Sequence, residues 1–333
     1  MSGLARGAGV AELVTRARDG QPRAVARLIT LVENEAPELR QVMARLAPHT
    51  GHAYVVGLTG SPGVGKSTTT SALITAYRRA GLRVGVLAVD PSSPFSGGAL
   101  LGDRVRMGEH VTDPGVYIRS MATRGHLGGL AWAAPQAVRV LDAAGCDVVL
   151  VETVGVGQSE VDIASQADTT VVLLAPGMGD GVQAAKAGIL EVGDVFVVNK
   201  ADRDGADATV RELQHMLGLG APRAPEDWRP SVVKTVAARG EGVDDVTAAL
   251  GRHRDWLTAH GALAARRARR AAREIETLAL TALRRRMADL RGDHRLAALA
   301  ERVAAGATDP YAAADELLAG LTGRAEGGAR GVD

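Results

Sequence analysis

The chain has 333 residues, with 39 basic and 38 acidic side chains and a formal net charge of +1. This near balance excludes the strong positive field of a typical nucleic-acid-binding protein. The single cysteine, Cys146, excludes an internal disulfide and a zinc site built from thiolates. No secretory leader pattern begins the chain, and no uncharged stretch reaches the ~18 residues that span a bilayer. We therefore expect a cytoplasmic protein that binds neither nucleic acid nor membrane.

Residues 1–50 have the periodicity of amphipathic helices. Apolar side chains recur there at intervals of three and four residues, at Val25, Leu28, Ile29 and Val32 and again at Leu39, Val42, Met43 and Leu46. Gly51 then interrupts the pattern. This segment is predicted to be an N-terminal helical extension.

Short, continuous apolar runs follow, and helical segments separate most of them. The candidate strands are 54–58, 83–89, 147–152, 169–175, 195–199 and 231–235. Buried strands that alternate with helices form a mostly parallel sheet that helices cover on both faces. Residues 51–258 are therefore predicted to be one α/β domain.

A phosphate-binding pattern, G-x-x-x-x-G-K-[ST], follows the first candidate strand. Its residues are Gly60, Ser61, Pro62, Gly63, Val64, Gly65, Lys66 and Ser67. The glycines let backbone N–H groups converge on an anion, and the following helix directs its positive N-terminus there. Lys66 is expected to bind the β- and γ-phosphates and Ser67 to bind Mg²⁺, with Thr68 also in the nucleotide site. The domain is thus predicted to be a P-loop NTPase.

Carboxylates are expected near this loop, because Mg²⁺ prefers oxygen ligands. The candidates are Asp90 at the end of a strand, Asp103, and Glu152 at the end of another strand. In many GTPases an Asp stands at the position of Glu152, in a D-x-x-G pattern whose glycine corresponds to Gly155 and contacts the γ-phosphate. The longer Glu side chain is expected to act through a metal-bound water. The predicted catalytic residues are Lys66 and Glu152.

The rate of hydrolysis depends on a group that positions the attacking water. Ras-like proteins have a Gln directly after the D-x-x-G glycine. Here Val156 follows that glycine, and a hydrophobic side chain cannot orient water. The sequence therefore predicts slow intrinsic hydrolysis that a partner stimulates.

A guanine-recognition pattern, N-K-x-D, follows the strand candidate 195–199, in Asn199, Lys200 and Asp202. The Asp202 carboxylate can accept from guanine N1–H and its 2-amino group. Adenine has neither donor there, and the unpaired carboxylate would cost several kcal/mol. Lys200 can lie over the base, and Asn199 can tie the base loop to the phosphate loop. A weaker loop that supports the base O6 is predicted at Thr235, Val236 and Ala237.

Several further segments together resemble the MeaB/ArgK-type GTPases, relatives of the human methylmalonic aciduria type A protein. They are residues 89–94, 102–107, 124–129, 152–160, 176–180, 183 and 186–188. The resemblance covers residues 10–320. It implies a GTPase that gates adenosylcobalamin delivery to a cobalamin-dependent acyl-CoA mutase of the methylmalonyl-CoA mutase type and protects that mutase. A homodimer held partly by C-terminal helices is also implied, and a cobalamin adenosyltransferase is a further possible partner.

The resemblance also assigns switch residues. It places Asp90 and Asp103 in a first switch that helps to hold Mg²⁺, and Glu152 at the start of a second. A third switch, which signals to the mutase, would contain Asp180, Gln183 and Lys186. Glycines around these three residues give the backbone the freedom that a switch needs.

The C-terminal residues 259–322 are predicted to be a helical dimerisation arm, and residues 323–333 a disordered tail. Asp309-Pro310 predicts the start of the last helix, whose apolar stripe is Tyr311, Ala314, Leu318 and Leu321. Most arginines early in the arm are interpreted as a solvated helix face, with a partner or dimer contact as the alternative. These arginines are Arg266, Arg267, Arg269, Arg270, Arg273, Arg284, Arg285 and Arg286.

Two other activities stay open. A P-loop kinase or ATPase linked to amino-acid transport is disfavoured by the N-K-x-D pattern. A metal-insertion GTPase usually has a cluster of His or Cys ligands, whereas the eight histidines here are scattered. The sequence does not distinguish methylmalonyl-, ethylmalonyl- and isobutyryl-CoA mutases as partners.

Overall fold

The computed structural model describes residues 2–90, 107–122, 130–153, 166–177, 190–219, 224, 226–288 and 294–327. The chain folds into two compact units, Met1–Glu274 and Ile275–Asp333. None of the described helices is long and apolar enough to cross a membrane. The domain limits proposed from the sequence stay a prediction.

A parallel sheet forms the centre of the first unit, in the order β3-β2-β4-β1-β5-β6-β7. The strands are β1 Tyr54–Thr59, β2 Val84–Asp90, β3 Val116–Ala122, β4 Val148–Thr153, β5 Thr169–Leu174, β6 Val195–Val198 and β7 Ser231–Lys234. The predicted parallel α/β fold is therefore confirmed. Strands β1, β4, β5 and β6 are buried along their whole length, which explains their continuous apolar sequence.

Strand β3 was not predicted from the sequence. It lies at the edge of the sheet, where it pairs with β2 from Val84↔Val116 to Asp90↔Ala122. Arg119 interrupts its apolar pattern, and this side chain forms an ion pair with Glu33 and donates to Thr30 Oγ1 over 3.2 Å. The contact that explains a charged residue in this strand thus comes from a distant helix, which local periodicity cannot reveal.

Helices cover both faces of the sheet, because alternate strand residues point to opposite sides. Val55 and Val149 pack towards one face with the helices α1 Ser2–Arg18, α2 Pro22–Glu33, α3 Leu39–Leu46 and α5 Leu130–Ala143. Val56 and Leu150 pack on the other face with the helices α4 Lys66–Arg79 and α7 Val243–Ala259. Beside β6 and β7 lies α6 Ala206–Gly218, and a single helical turn forms at Leu190–Val192. The predicted N-terminal helices are α2 and α3.

The described residues from 262 onwards form three helices, α8 Ala262–Ala288, α9 His294–Ala304 and α10 Pro310–Gly327. The predicted start signal is confirmed, since Asp309 Oδ1 accepts from the backbone N–H of Tyr311 over 2.9 Å. Helix α10 continues to Gly327, past the predicted start of the tail at residue 323. Two residues of its predicted apolar stripe are exposed, Tyr311 at 84% and Leu318 at 47%.

Three arginines of α8 bind buried carboxylates at the end of the sheet where β5 and β6 begin. Asp168, fully buried, lies 2.8 Å from Arg267 Nη2 and 3.3 Å from Arg270 Nη1. Asp194 accepts from both terminal nitrogens of Arg266, over 2.8 and 2.9 Å. The solvated-face interpretation is therefore wrong for these three arginines, because strand ends far away in sequence supply their counter-charges.

A buried histidine lies beside the same carboxylates. His253 Nδ1 is 2.7 Å from Thr169 Oγ1, and its Nε2 is 3.4 Å from Asp194 Oδ1. The imidazole packs against Trp228 and Trp256, with ring centroids 4.6 and 6.0 Å away. Burial lowers the pKa of His253 to about 4, although the charge of Asp194 partly opposes this shift.

This pKa predicts how the stability of the protein depends on pH. In the unfolded chain His253 titrates near ~6.5, so that between pH ~6.5 and about 4 the unfolded state binds more protons than the folded state. The free energy of unfolding should therefore fall on the order of 2–3 kcal/mol as the pH drops through this window. Urea denaturation at several pH values measures the effect.

A His253→Gln protein should lose most of this pH dependence. His260→Gln is the matched control, because His260 is exposed and its replacement should leave the profile almost unchanged. An unaltered slope in His253→Gln would contradict the assignment.

Candidate nucleotide-binding site

The loop between β1 and α4 has the conformation that the phosphate-binding pattern predicts. Gly60 and Gly65 have φ values of +140° and +98°. A Cβ atom on Gly60 would lie 2.3 Å from the carbonyl oxygen of Leu173, and one on Gly65 would lie 2.3 Å from Asn199 Nδ2. Both positions therefore require glycine for backbone conformation and for close packing.

Lys66 places its charge inside this loop. Its side chain is buried, and Nζ donates to the carbonyl oxygens of Gly60 over 2.7 Å and Ser61 over 3.1 Å. Helix α4 begins at Lys66, so the positive end of the helix dipole lies at the same point. The loop thus combines an ammonium group with a helix N-terminus, which suits the binding of an anion.

A serine and a carboxylate meet beside the loop. Glu152 is buried at the C-terminal end of β4, where it accepts from Ser67 Oγ over 2.7 Å and from Thr70 Oγ1 over 2.8 Å. Strands β1 and β4 are neighbours, with Leu58 opposite Glu152, so the sheet itself sets this position. A hydroxyl and a carboxylate are the oxygen ligands that suit Mg²⁺, directly or through water.

Asn199 joins three loops. It is buried at the end of β6, and its Nδ2 donates to the carbonyl oxygen of Val64 in the phosphate loop over 2.9 Å. Its Oδ1 accepts from Thr235 Oγ1 over 3.1 Å and from the backbone N–H of Ala237 over 3.0 Å. The expected link from the base motif to the phosphate loop is therefore present, and the loop after β7 is held by the same amide.

The other two residues of the base motif flank this junction. Lys200 has a φ of +57°, and its Nζ donates to the carbonyl oxygen of Gly63 over 2.5 Å. Asp202 is 44% exposed, and its Oδ2 lies 3.4 Å from Arg239 Nη2. Arg239 belongs to the loop after β7, so an ion pair spans the two segments that are expected to hold the base.

A cleft of about 580 Å³ adjoins these elements. Thr68 and Ser71 of α4 line one part of it, and Arg239 and Gly240 line another. Among the described residues, no group of three or more His, Cys, Asp or Glu side chains could hold a metal ion. Among the residues that the structure describes, the side-chain oxygens of Ser67, Thr70 and Glu152 meet beside the phosphate loop.

Comparison with known proteins agrees with this geometry. Residues 25–291 match the family described as methylmalonyl-CoA mutase-associated GTPase MeaB. The chain belongs to the MeaB family. The predicted resemblance is confirmed, and the relatives named as GTPases support GTP hydrolysis as the activity of this MeaB-family protein.

Relatives match this family member over most of their length. A candidate GTPase of Pyrococcus abyssi is 50% identical over 315 residues, 94% of this chain and 97% of the relative. GTPase ArgK of Escherichia coli is 38% identical, over 76% of this chain and 78% of its own. The methylmalonic aciduria type A homolog of Mus musculus is 38% identical, over 78% of this chain and 66% of its own. Among solved structures, an LAO/AO transport system kinase superposes with a TM-score of 0.69 and 27% identity, covering 95% of this chain and 98% of that one.

Most of the predicted site lies in one region of this MeaB-family structure. Contacts bring together Gly60, Ser61, Gly63, Val64, Gly65, Lys66, Ser67, Glu152, Asn199, Lys200, Thr235 and Ala237. The same loops contain Pro62 and Val236, and Thr68 lies in the first turn of α4. Asp90 is the last residue of β2, which pairs with β4, and only its backbone belongs to the part of the chain that the structure describes. Also outside the described residues are Asp103, Gly155, Asp180, Gln183 and Lys186.

Three side chains at the site were not predicted. Thr70 shares Glu152 with Ser67, and its position three residues after Ser67 on α4 was an available signal. Arg239 and Glu241 lie beyond the base-supporting loop and contact each other, with Nε 3.0 Å from Oε1. No sequence motif marks either residue, because their relation to Asp202 comes from the pairing of β6 with β7.

Proposed function

We propose that this MeaB-family GTPase converts GTP to GDP and phosphate in the region where the phosphate loop and the base motif meet. It would use this cycle as a chaperone that gates adenosylcobalamin delivery to a cobalamin-dependent acyl-CoA mutase of the methylmalonyl-CoA mutase type and protects that mutase. The Asn199 junction is the single observation that carries the nucleotide part, since it holds the guanine motif against the phosphate loop. Family membership supports the mutase part.

Each described residue has a role in this proposal. Lys66 would move from its two carbonyl partners to the β- and γ-phosphates, and the Asp202 carboxylate would accept from the guanine edge. Ser67 and Glu152 would hold Mg²⁺, Glu152 through a water, with Asp90 and Asp103 as further candidate ligands. When bound, Mg²⁺ would neutralise charge on the phosphate oxygens.

Partner binding would control the rate. The hydrophobic Val156 leaves the attacking water without an orienting side chain at that position, which supports slow hydrolysis by the protein alone. The third switch, Asp180, Gln183 and Lys186, would signal to the mutase. A cobalamin adenosyltransferase is a further proposed partner, and the cytoplasm is the proposed location.

A homodimer is the proposed assembly. Helix α8 carries Ile275, Leu278 and Leu283, which are 67%, 40% and 54% exposed. Apolar side chains exposed along a helix are typical of a surface that another chain covers. Their location in the C-terminal unit supports dimerisation through the helical arm.

A transport-linked kinase is the alternative that the name of the similar solved structure raises. It would use ATP, and adenine would leave Asp202 without the two donors that guanine offers. A preference for ATP over GTP would favour this alternative, and we expect the opposite preference.

Hydrolysis assays with and without a mutase test the proposal. We expect turnover well below ~1 s⁻¹ for the protein alone and an increase when a methylmalonyl-, ethylmalonyl- or isobutyryl-CoA mutase is added. Lys186→Ala should keep nucleotide affinity but weaken this increase, whereas Lys234→Ala, at an exposed lysine paired with Asp207, should behave as wild type. Turnover at or above ~1 s⁻¹ without a partner, or no response to any of the three mutases, would contradict it.

A further inference from the structure

The carboxylate of the guanine motif already has a partner in this structure. Arg239 Nη2 lies 3.4 Å from Asp202 Oδ2, with the two side chains 55% and 44% exposed. Arg239 ends the short 3₁₀ helix Ala237–Arg239, directly after the segment that is expected to support the base O6. The arginine therefore forms an ion pair with the carboxylate that guanine must reach, through one of its two oxygens.

A guanidinium group and the guanine edge offer similar donors. Guanine presents N1–H and its 2-amino group side by side, and a guanidinium presents N–H groups from neighbouring nitrogens of one planar fork. Both can approach a carboxylate in the same way. Arg239 thus offers Asp202 an intramolecular substitute for the base.

A second acceptor lies within reach of Arg239. Its Nε is 3.0 Å from Glu241 Oε1, so the side chain keeps an ion-pair partner when it leaves Asp202. The backbone nearby is fixed, because the N–H of Ala237 donates to Asn199 and Val236 N–H donates to the Glu241 carbonyl oxygen. Arg239 can therefore change partner by a side-chain movement alone.

We propose that Arg239 is a specificity-determining residue that occupies the guanine-binding carboxylate until a guanine nucleotide displaces it. This inference rests on the proposed role of Asp202 in guanine recognition. Guanine can replace every donor that it removes from Asp202, whereas adenine has neither N1–H nor a 2-amino group and leaves the Arg239–Asp202 pair in place.

The proposal predicts opposite sensitivities for the two bases. Guanine nucleotides must break the ion pair, so removing Arg239 should increase their affinity. For a half-exposed pair the expected gain is about two- to fivefold. Adenine nucleotides do not break the pair, so their affinity should not change, and the preference for GDP over ADP should rise by the same factor.

Displacement of a fluorescent GDP analogue by GDP and by ADP tests this in the full-length protein. We expect Arg239→Ala to bind GDP about two- to fivefold more tightly with unchanged ADP affinity. Arg239→Lys, which keeps the charge but not the planar fork, should fall between wild type and Arg239→Ala. Arg252→Ala, at an exposed arginine of α7, is the matched control and should change neither affinity.

The same titrations in an Asp202→Asn background locate the effect. There, Arg239→Ala should no longer tighten GDP binding, because the competing carboxylate is gone. Weaker or unchanged GDP binding by Arg239→Ala, or equal tightening of GDP and ADP, would overturn the proposal. If Asp202→Asn kept the full preference for GDP over ADP, the guanine assignment itself would fail; if it lost that preference, only the role of Arg239 would be in question.

Discussion

Lys66→Ala is expected to reduce the rate of GTP hydrolysis by about 10²–10³-fold. The ammonium group lies inside the phosphate loop and at the N-terminus of α4. The charge that develops on the transferred phosphoryl group would lose a preorganised positive partner there. Single-turnover hydrolysis, with the partner mutase present to raise the wild-type rate, measures the loss.

The fold should not be affected by this replacement. Lys66 Nζ donates to the backbone carbonyl oxygens of Gly60 and Ser61, and both lie in a loop where water can replace a donor. The free energy of unfolding should change by no more than about 1 kcal/mol. Lys234→Ala, which removes the same charge from an exposed edge-strand residue, should hydrolyse GTP normally. Near-wild-type hydrolysis in Lys66→Ala would remove this loop from the mechanism.

Asp168→Ala is expected to lower the free energy of unfolding by about 3–5 kcal/mol. The carboxylate is fully buried, where it pairs with Arg267 and Arg270 and accepts from the backbone N–H of Val55 over 3.1 Å. Removing one member of a buried charge network leaves the others with uncompensated charge and an unpaired donor. Urea denaturation at pH 7 measures the difference.

An exposed pair provides the control for this measurement. Asp207→Ala breaks an ion pair with Lys234; the side chain of Asp207 is 72% exposed and that of Lys234 is 53% exposed. Such a surface pair contributes about 0–1 kcal/mol. The loss of unfolding free energy in Asp168→Asn should lie between those of Asp168→Ala and Asp207→Ala. The amide oxygen can still accept from the backbone N–H of Val55, but the negative charge is lost. If Asp168→Ala cost no more than Asp207→Ala, the network would not stabilise the sheet.

The sheet was predictable because its central strands are buried on both faces. Phe196 and Val197, for example, are both fully buried although they point to opposite faces, so the whole strand is apolar. Strand β3 was not predicted, because Arg119 interrupts its apolar pattern. The ion-pair partner of Arg119, Glu33, lies on α2. Local sequence also could not reveal the partners of Arg266 and Arg267. Their acidic partners are 72 and 99 residues away in sequence but adjacent in space.

The candidate site was predictable where chemistry demands fixed spacing. In the phosphate loop and in the N-K-x-D motif, a few consecutive residues make several contacts with one nucleotide. The spacing of these residues in the sequence therefore identifies the site. Arg239 has no such constraint, because the pairing of β6 with β7 brings it to Asp202. Thr70 was also difficult to predict, because its partner Glu152 lies near the end of β4, far away in the sequence.

The central claim is that Lys66 and Asp202 bind opposite ends of one guanine nucleotide. A crystal structure with a non-hydrolysable GTP analogue and Mg²⁺ tests it most directly. We predict that Lys66 Nζ leaves the carbonyl oxygens of Gly60 and Ser61 for the β- and γ-phosphates, and that Asp202 accepts from N1–H and the 2-amino group of the base. A nucleotide bound elsewhere, or a base that does not contact Asp202, would contradict the account.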